Sequence, residues 1–250
     1  MRAARELCRA ALLVGALAAA VPQAALAGGI PLEGLGGWEA DGLGQGYAFA
    51  GVGALATAGA RVVIPARLQG SYLYYDFLEG AITTTVRSPG VTAMTGLRLT
   101  GSRGSLTILG GAEVRWERRN ADTLAAPSLR RTSWGQVLQG EGDVALTRRW
   151  HILALANYAG AARYLFARAS IRHQFTNKDW KGPRTLFAGM EGTRQGNDES
   201  DAWGAGGFFE CALVPSRISL SARAGYKEVW SPDTLHRKSA YFGAGVYRRF

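Results

Sequence analysis

Residues 217–229 read RISLSARAGYKEV, and their strict alternation decides the fold. Ile218, Leu220, Ala222, Ala224 and Tyr226 share one face of an extended strand, and Ser219, Ser221, Arg223, Gly225 and Lys227 share the other. One face suits lipid and the other a polar interior. Residues 105–118, SLTILGGAEVRWER, repeat the pattern, with Leu106, Ile108, Ala112, Val114 and Trp116 opposing Thr107, Glu113, Arg115 and Glu117. In 202–213, Trp203, Ala205, Phe209, Cys211 and Leu213 oppose Glu210, which puts the thiol on the apolar face. The chain then ends in AYFGAGVYRRF (240–250), an alternating segment closed by the aromatic Phe250. A terminal aromatic on an alternating strand reads as an assembly signal, to be recognised by barrel-assembly machinery.

The other end of the chain fixes the compartment. Arg2, Arg5 and Arg9 precede an apolar run from Ala10 to Val21, and Ala25-Leu26-Ala27 forms a small-residue cleavage pattern. The run is about 12 residues long, against the roughly 20 needed to span a bilayer as a helix, so residues 1–27 read as a signal peptide and 28–250 as the exported domain. Of the two cysteines, Cys8 leaves with the signal, and Cys211 alone cannot form an intramolecular disulfide. No later stretch has the roughly 18 unbroken apolar residues of a membrane helix. Hydrophobic content of 47% with 34 glycines and mean hydropathy near zero fits residue-by-residue alternation instead. The net charge of +10 comes without RNP, zinc-finger or helix-turn-helix patterns, so nucleic acid is not the expected partner. Outer-membrane lipid and lipopolysaccharide are.

Reading onward predicts strands near 32–40, 45–56, 61–77, 91–101, 105–118, 132–147, 150–158, 163–175, 184–194, 202–213, 217–229 and 239–250. The fold class is therefore all-β, an antiparallel transmembrane β-barrel of about 12 strands in the bacterial outer membrane. Connections at 57–60, 102–104, 148–149 and 214–216 are tight, whereas 78–90, 119–131, 195–201 and 230–238 read as longer polar loops. Tyr72, Tyr74, Trp116, Trp134, Tyr158, Trp203 and Tyr226 fall towards one end of their strands and Trp150, Phe175 and Phe250 towards the other, which predicts two aromatic girdles.

Parity sends Arg67, Arg98, Glu113, Arg115, Glu117, Glu141, Asp143, Arg168, Arg172, Glu191, Glu210, Arg223 and Lys227 into the lumen. Mixed signs suit pairing that stiffens a barrel of intermediate width, or a narrow polar conduit. Arg118, Arg119, Arg130 and Arg131 are expected at the two ends of one basic surface loop, placed for lipopolysaccharide phosphates or an acidic polymer. No chemistry is legible. The three histidines, His151, His173 and His236, have no recognisable Ser-carboxylate companions, and no ligand spacing indicates a metal. A lipid A deacylase barrel would carry His-x-Ser on a late strand, but Gln174 and Phe175 follow His173. Glu191 and Glu210 read as partners of inward arginines rather than as an acid/base pair. The expectation is a protein without catalytic residues or cofactors.

Five segments, GWEADGLGQGYAFAGVGALA (37–56), ARLQGSYLYYD (66–76), ANYAGAARYLFARASI (156–171), AGMEGTRQGNDESDAWGAGGFF (188–209) and SARAGY (221–226), together resemble the cellulose biosynthesis protein BcsS family of alphaproteobacterial cellulose operons. Gly189, Glu191, Gly196 and Asn197 match that family's Gly-Pro-Glu and Gly-Asn stretch, with Met190 in place of the proline. The basic charge departs from an otherwise acidic-leaning family. The resemblance implies a non-catalytic accessory role in making or exporting cellulose or a related exopolysaccharide, alongside its synthesis complex, and supplies no catalytic residues. Aromatic platforms commonly hold glycans, so Tyr72, Tyr74, Tyr75, Trp134 and Tyr164 become candidate glycan contacts, their other reading being the interface girdle. Two alternatives stay open: a small porin-like diffusion channel, and a structural barrel anchored to lipopolysaccharide.

Overall fold

The computed structural model describes residues 30–79, 82–122, 128–176, 183–198, 200–231 and 234–250. The signal-peptide assignment to 1–27 lies outside them. The described chain forms twelve strands: β1 (Leu32–Asp41), β2 (Gly46–Thr57), β3 (Val62–Glu79), β4 (Ile82–Gly101), β5 (Gly104–Ala121), β6 (Leu129–Ala145), β7 (Trp150–Ala159), β8 (Tyr164–Gln174), β9 (Arg184–Gly196), β10 (Asp201–Leu213), β11 (Ile218–Ser231) and β12 (Thr234–Arg249). Each pairs antiparallel with its sequence neighbours, and β1 pairs with β12 from Glu33↔Arg249 to Asp41↔Tyr241, closing the barrel. Closure leaves no edge strand to recruit another chain.

Alternation fixes which side chains face where. Leu68, Leu97, Ile108, Leu138, Met190, Trp203 and Phe209 are exposed on the outer wall, while Arg67, Glu113, Arg115, Glu191 and Lys227 are buried inside it. Polar inside and apolar outside inverts a water-soluble sandwich and matches a wall solvated by hydrocarbon. Among the described residues, the buried apolar cluster is only Met94, Leu109 and Val137, so ion pairs and hydrogen bonds carry most of the interior. Exposed Trp116, Trp134, Tyr158, Trp203 and Tyr226 stand towards the end away from the termini, here the far end, and Trp150, Phe175 and Tyr247 towards the terminal end.

Several strands run further than the sequence pattern predicts. The expected loop 78–90 is mostly strand, since β4 starts at Ile82 and pairs with β3 up to Glu79↔Ile82. Pro89 is the reason for the misreading. It has no N–H to give, and the β4–β5 ladder skips it, with Arg87↔Arg118 and Gly90↔Arg115 flanking the gap, while the β3 side keeps Tyr72↔Pro89. Pro65 leaves a similar gap between Val63↔Arg98 and Ala66↔Thr95, where the Thr95 hydroxyl donates to the Pro65 carbonyl at 3.1 Å. The expected basic loop is corrected in the same way. Arg118 and Arg119 belong to β5, Arg130 and Arg131 to β6, and Arg118 pairs directly with Arg130.

The two ends differ in charge. Turns at the terminal end carry exposed Arg61, Arg103, Arg148, Arg149 and Arg217, and no acidic residue stands among the described residues of those turns. At the far end acidic residues are present as well, and some basic groups pair with them, as in Arg163–Asp198 at 2.8 Å, Arg194–Asp201 at 3.2 Å and Lys238–Glu228 at 3.2 Å.

Candidate functional site

The lumen gathers side chains from all around the wall into three ion-pair groups. Arg67 of β3 spans Glu33 of β1 at 2.9 Å and Glu141 of β6 at 2.6 Å, while Arg98 approaches Glu33 at 3.6 Å and Tyr247 donates to it at 3.1 Å. Arg168 of β8 joins Glu39 at 2.9 Å and Glu191 at 3.5 Å; Glu191 also faces Arg223 at 3.8 Å and accepts from Tyr241 at 3.0 Å. Arg172 links Glu210 at 2.7 Å to Asp143 at 2.9 Å, and His151 Nδ1 lies 3.1 Å from the same aspartate. Two smaller pairs complete the set. Lys227 meets Asp41 at 2.6 Å, and Arg115 meets Glu113 while donating to Ser71 at 2.9 Å and to the Ser88 carbonyl at 3.0 Å. Charges this enclosed persist because each is paired with an opposite charge.

Glycine makes room for them. A Cβ at Gly53 would stand 2.8 Å from Glu33 Cγ, and one at Gly90 would stand 2.9 Å from Arg115 Cγ. Any larger residue at either place would push the charged side chain off its partners.

Between these groups runs a series of cavities. A recess of about 50 Å³ opens at the far end beside Tyr75, Tyr164, Tyr47, Gln195 and Lys227. Below it lies a cavity of about 210 Å³ walled by Tyr47, Phe49, Tyr164 and Phe166, with Gln69, Gln139, Asn157 and Gln195 around it. Nearest the terminal end is a space of about 550 Å³ bounded by the charged groups, including Arg67, Arg98, Asp143 and Glu210. Tyr47 and Tyr164 border both the first and the second space, and Arg168 and Arg223 border both the second and the third. The lumenal spaces are thus largest near the terminal end and smallest at the far end.

The five aromatic residues singled out in the sequence do not converge. Tyr75 and Tyr164 border the far-end recess, with Tyr74 at its rim. Trp134 points outward, 76% exposed, and Tyr72 alternates outward with Leu68, so both stand on the wall rather than in the lumen. The sequence reading missed Tyr47, Phe49 and Phe166. Their signal is an aromatic pair at i and i+2, on one face of one strand, in Tyr47/Phe49 and again in Tyr164/Phe166.

Arg118 and Arg130 point outward beside Arg87, in a row across β4, β5 and β6. Arg119 points inward, where Glu117 accepts from its Nε at 2.6 Å. In the turn 160–163, the hydrogen bond from Arg163 to Asp198 raises the guanidinium pKa. Phe250 donates its backbone N–H to the Leu32 carbonyl at 2.8 Å, and its ring lies under Arg248 at 4.4 Å. Among the described residues, no three His, Cys, Asp or Glu side chains come together as metal ligands.

The barrel is similar to the beta domain of the Bordetella autotransporter BrkA, at 13% identity over 88% of this chain and 98% of that one, with a TM-score of 0.49. It is also similar to the translocator domain of the autotransporter NalP from Neisseria meningitidis (17% identity, 88% and 87% covered, TM-score 0.44) and to the Pseudomonas putida toluene transporter TodX (9%, 88% and 88%, TM-score 0.43). Likenesses this distant carry no argument about activity. No curated protein matches the chain. A family model does, over residues 37–250, which takes in eleven of the twelve strands and part of the first. The chain belongs to the cellulose biosynthesis protein BcsS family.

Proposed function

We propose that this protein is an outer-membrane barrel that assists the production or export of cellulose, or of a closely related exopolysaccharide, without itself catalysing a reaction. The observation that carries the reading is the family match along 37–250, which coincides with the barrel rather than with an appended segment. An apolar wall between two aromatic belts fits a bilayer. With β1 starting and β12 finishing at one end, that end faces the periplasm, as in other bacterial barrels, and the far end faces the cell surface. The wide charged space then opens towards the periplasm, and the narrow recess beside Tyr75 and Tyr164 lies at the surface. Outer-membrane lipid, lipopolysaccharide and the barrel-assembly machinery are the partners that follow from this placement, and the cellulose synthesis complex is the partner that follows from the family. The lumenal carboxylates serve as counter-ions, each within reach of a guanidinium or ammonium.

The test is a clean deletion followed by cellulose quantification under inducing conditions, with complementation by the intact gene. A lowered yield restored by complementation is expected. Unchanged polymer in the deletion strain refutes the reading. A second reading, a small diffusion channel, has one observation in its favour, the continuous series of lumenal spaces. Planar-bilayer recording separates the two: the accessory role predicts no steady conductance above an empty bilayer, and the channel predicts a steady one.

A further inference from the structure

The barrel order places β2 and β8 six strands apart in either direction, so they face each other across the lumen. Each carries an inward aromatic pair at the same depth, Tyr47/Phe49 on β2 and Tyr164/Phe166 on β8, and all four border the cavity of about 210 Å³. The pairs are held in place. Tyr47 and Phe49 stack at 5.8 Å, Gln69 donates to the Tyr47 hydroxyl at 3.4 Å, Tyr164 donates to Gln195 at 3.1 Å, and Arg168 lies over the Phe166 ring at 4.9 Å. Between the aromatic walls stand amides. Asn157 donates to Gln139 at 3.0 Å, and Gln139 donates onward to Glu141 at 2.6 Å.

We propose that this cavity is a binding site for an uncharged sugar unit, sandwiched between the β2 and β8 aromatic pairs and hydrogen-bonded by the surrounding amides. The lining decides among ligand classes. An ionic solute would need a one-signed field, but the acidic Glu39 and Glu141 offset the basic Arg115, Arg168 and Arg223 to within one charge. A hydrocarbon would offer nothing to the amide donors and acceptors that Gln69, Gln139, Asn157 and Gln195 do not already spend on Tyr47, Tyr164, Glu141 and one another, and each polar group buried without a partner costs about 1–3 kcal/mol. A sugar ring meets both demands, offering C–H faces to aromatic rings and equatorial hydroxyls to amides that both donate and accept. At about 30 Å³ per water, the cavity holds roughly seven waters, the scale of one hexose ring with its hydroxyls. The larger space below supplies an approach from the terminal end and room for further units of a chain. That the sugar belongs to a β-linked glucan rests on the function proposed above; the site itself rests on the lining alone.

The experiment uses the purified full-length barrel in detergent, titrated with cellotetraose and maltotetraose by isothermal calorimetry, with oligogalacturonate as the anionic control. Saturable binding of a neutral oligosaccharide is expected, weakened at least tenfold by Tyr164→Ala combined with Phe166→Leu, and nearly unchanged by Tyr164→Phe or by Tyr72→Leu on the outer wall. Heat-dependent gel mobility verifies that each variant is folded, and Tyr47→Leu on the facing strand provides a second, independent lesion. Absence of saturable binding to either neutral oligosaccharide, or binding indifferent to Tyr47 and Tyr164, overturns the site. If maltotetraose binds and cellotetraose does not, the site stands and the cellulose reading loses support. If neither binds while the deletion strain lacks cellulose, the site falls and the proposed function stands.

Discussion

Arg67→Met should destabilise the barrel by about 3 kcal/mol, and the reason lies in what it leaves behind. The guanidinium is buried, and it donates to Glu33 through Nε at 3.3 Å and Nη2 at 2.9 Å, and to Glu141 through Nη1 at 2.6 Å. The Glu33 side chain is fully enclosed (0% exposed), whereas Glu141 keeps 29% of its side-chain surface. Removing one partner of a buried pair typically costs about 3–5 kcal/mol, most of it the penalty for stranding the remaining charge. Two facts favour the lower bound. Glu33 keeps Arg98 at 3.6 Å and Tyr247 at 3.1 Å, and Glu141 keeps the Gln139 amide at 2.6 Å and its partial exposure. About 3 kcal/mol is a shift of roughly 150-fold in the folding equilibrium. Urea titration in lipid vesicles, followed by tryptophan fluorescence and by gel mobility without boiling, measures it. Adding Glu33→Gln to the Arg67→Met background removes the stranded charge and should recover at least half of the loss. A single variant within about 0.5 kcal/mol of the parent, or a double variant no better than the single, would show that the lumen is wet enough to hold unpaired carboxylates, and the argument from desolvation would fail.

Ala222→Arg places a guanidinium on the outward face of β11 and should cost about 2–4 kcal/mol if the site lies near the bilayer midplane; unaltered folding yield in vesicles would reverse the facing of that strand. Removing Phe250 deletes the backbone bond to Leu32 and the ring under Arg248, and should lower outer-membrane levels far more than Arg130→Ala, as judged by immunoblot of membrane fractions. Gly53→Val drives a side chain into Glu33 and should broaden or lower the unfolding transition, whereas Gly59→Ala, in a turn with nothing near its Cβ, should leave it unchanged. Neutralising Arg61, Arg103 and Arg217 together should reduce association with vesicles containing anionic lipid by about 1 kcal/mol per charge, with no effect on neutral vesicles. Equal loss on both lipids would assign those turns a purely structural role.

How far the sequence reaches depends on the kind of information needed. Two-residue alternation is local, so the facing of Arg67, Glu113, Glu191 and Arg223 follows once each strand is recognised, and the structure puts all four in the lumen. Strand extent at the far end is less legible, because Pro89 and Gly90 read as a turn in isolation and only a paired partner on β3 reveals them as strand. The opposition of Tyr47 and Tyr164 is harder still. It arises from counting six strands round a closed ring, so no window of sequence contains it. Tyr72 and Trp134 stand on the wall, as their parity against the inward Arg67 and Glu141 of the same strands already implies, while Phe49 and Phe166 share the inward face of the lumenal tyrosines two residues away.

Eleven of the twelve seams in this cylinder join strands that follow each other directly in the chain, and one joins its two ends. Rungs such as Gly37↔Gly245 bring together residues roughly 200 apart, for which the entropy of closing the loop amounts to about 5 kcal/mol in a free chain. No single rung can offset that, so the pairing from Glu33↔Arg249 to Asp41↔Tyr241 forms as a unit or not at all. The hairpins are local in the chain, whereas completing the cylinder needs β1 and β12 together. The same seam is where the finished wall can part without separating a hairpin, which makes it the natural gate for entry into a membrane.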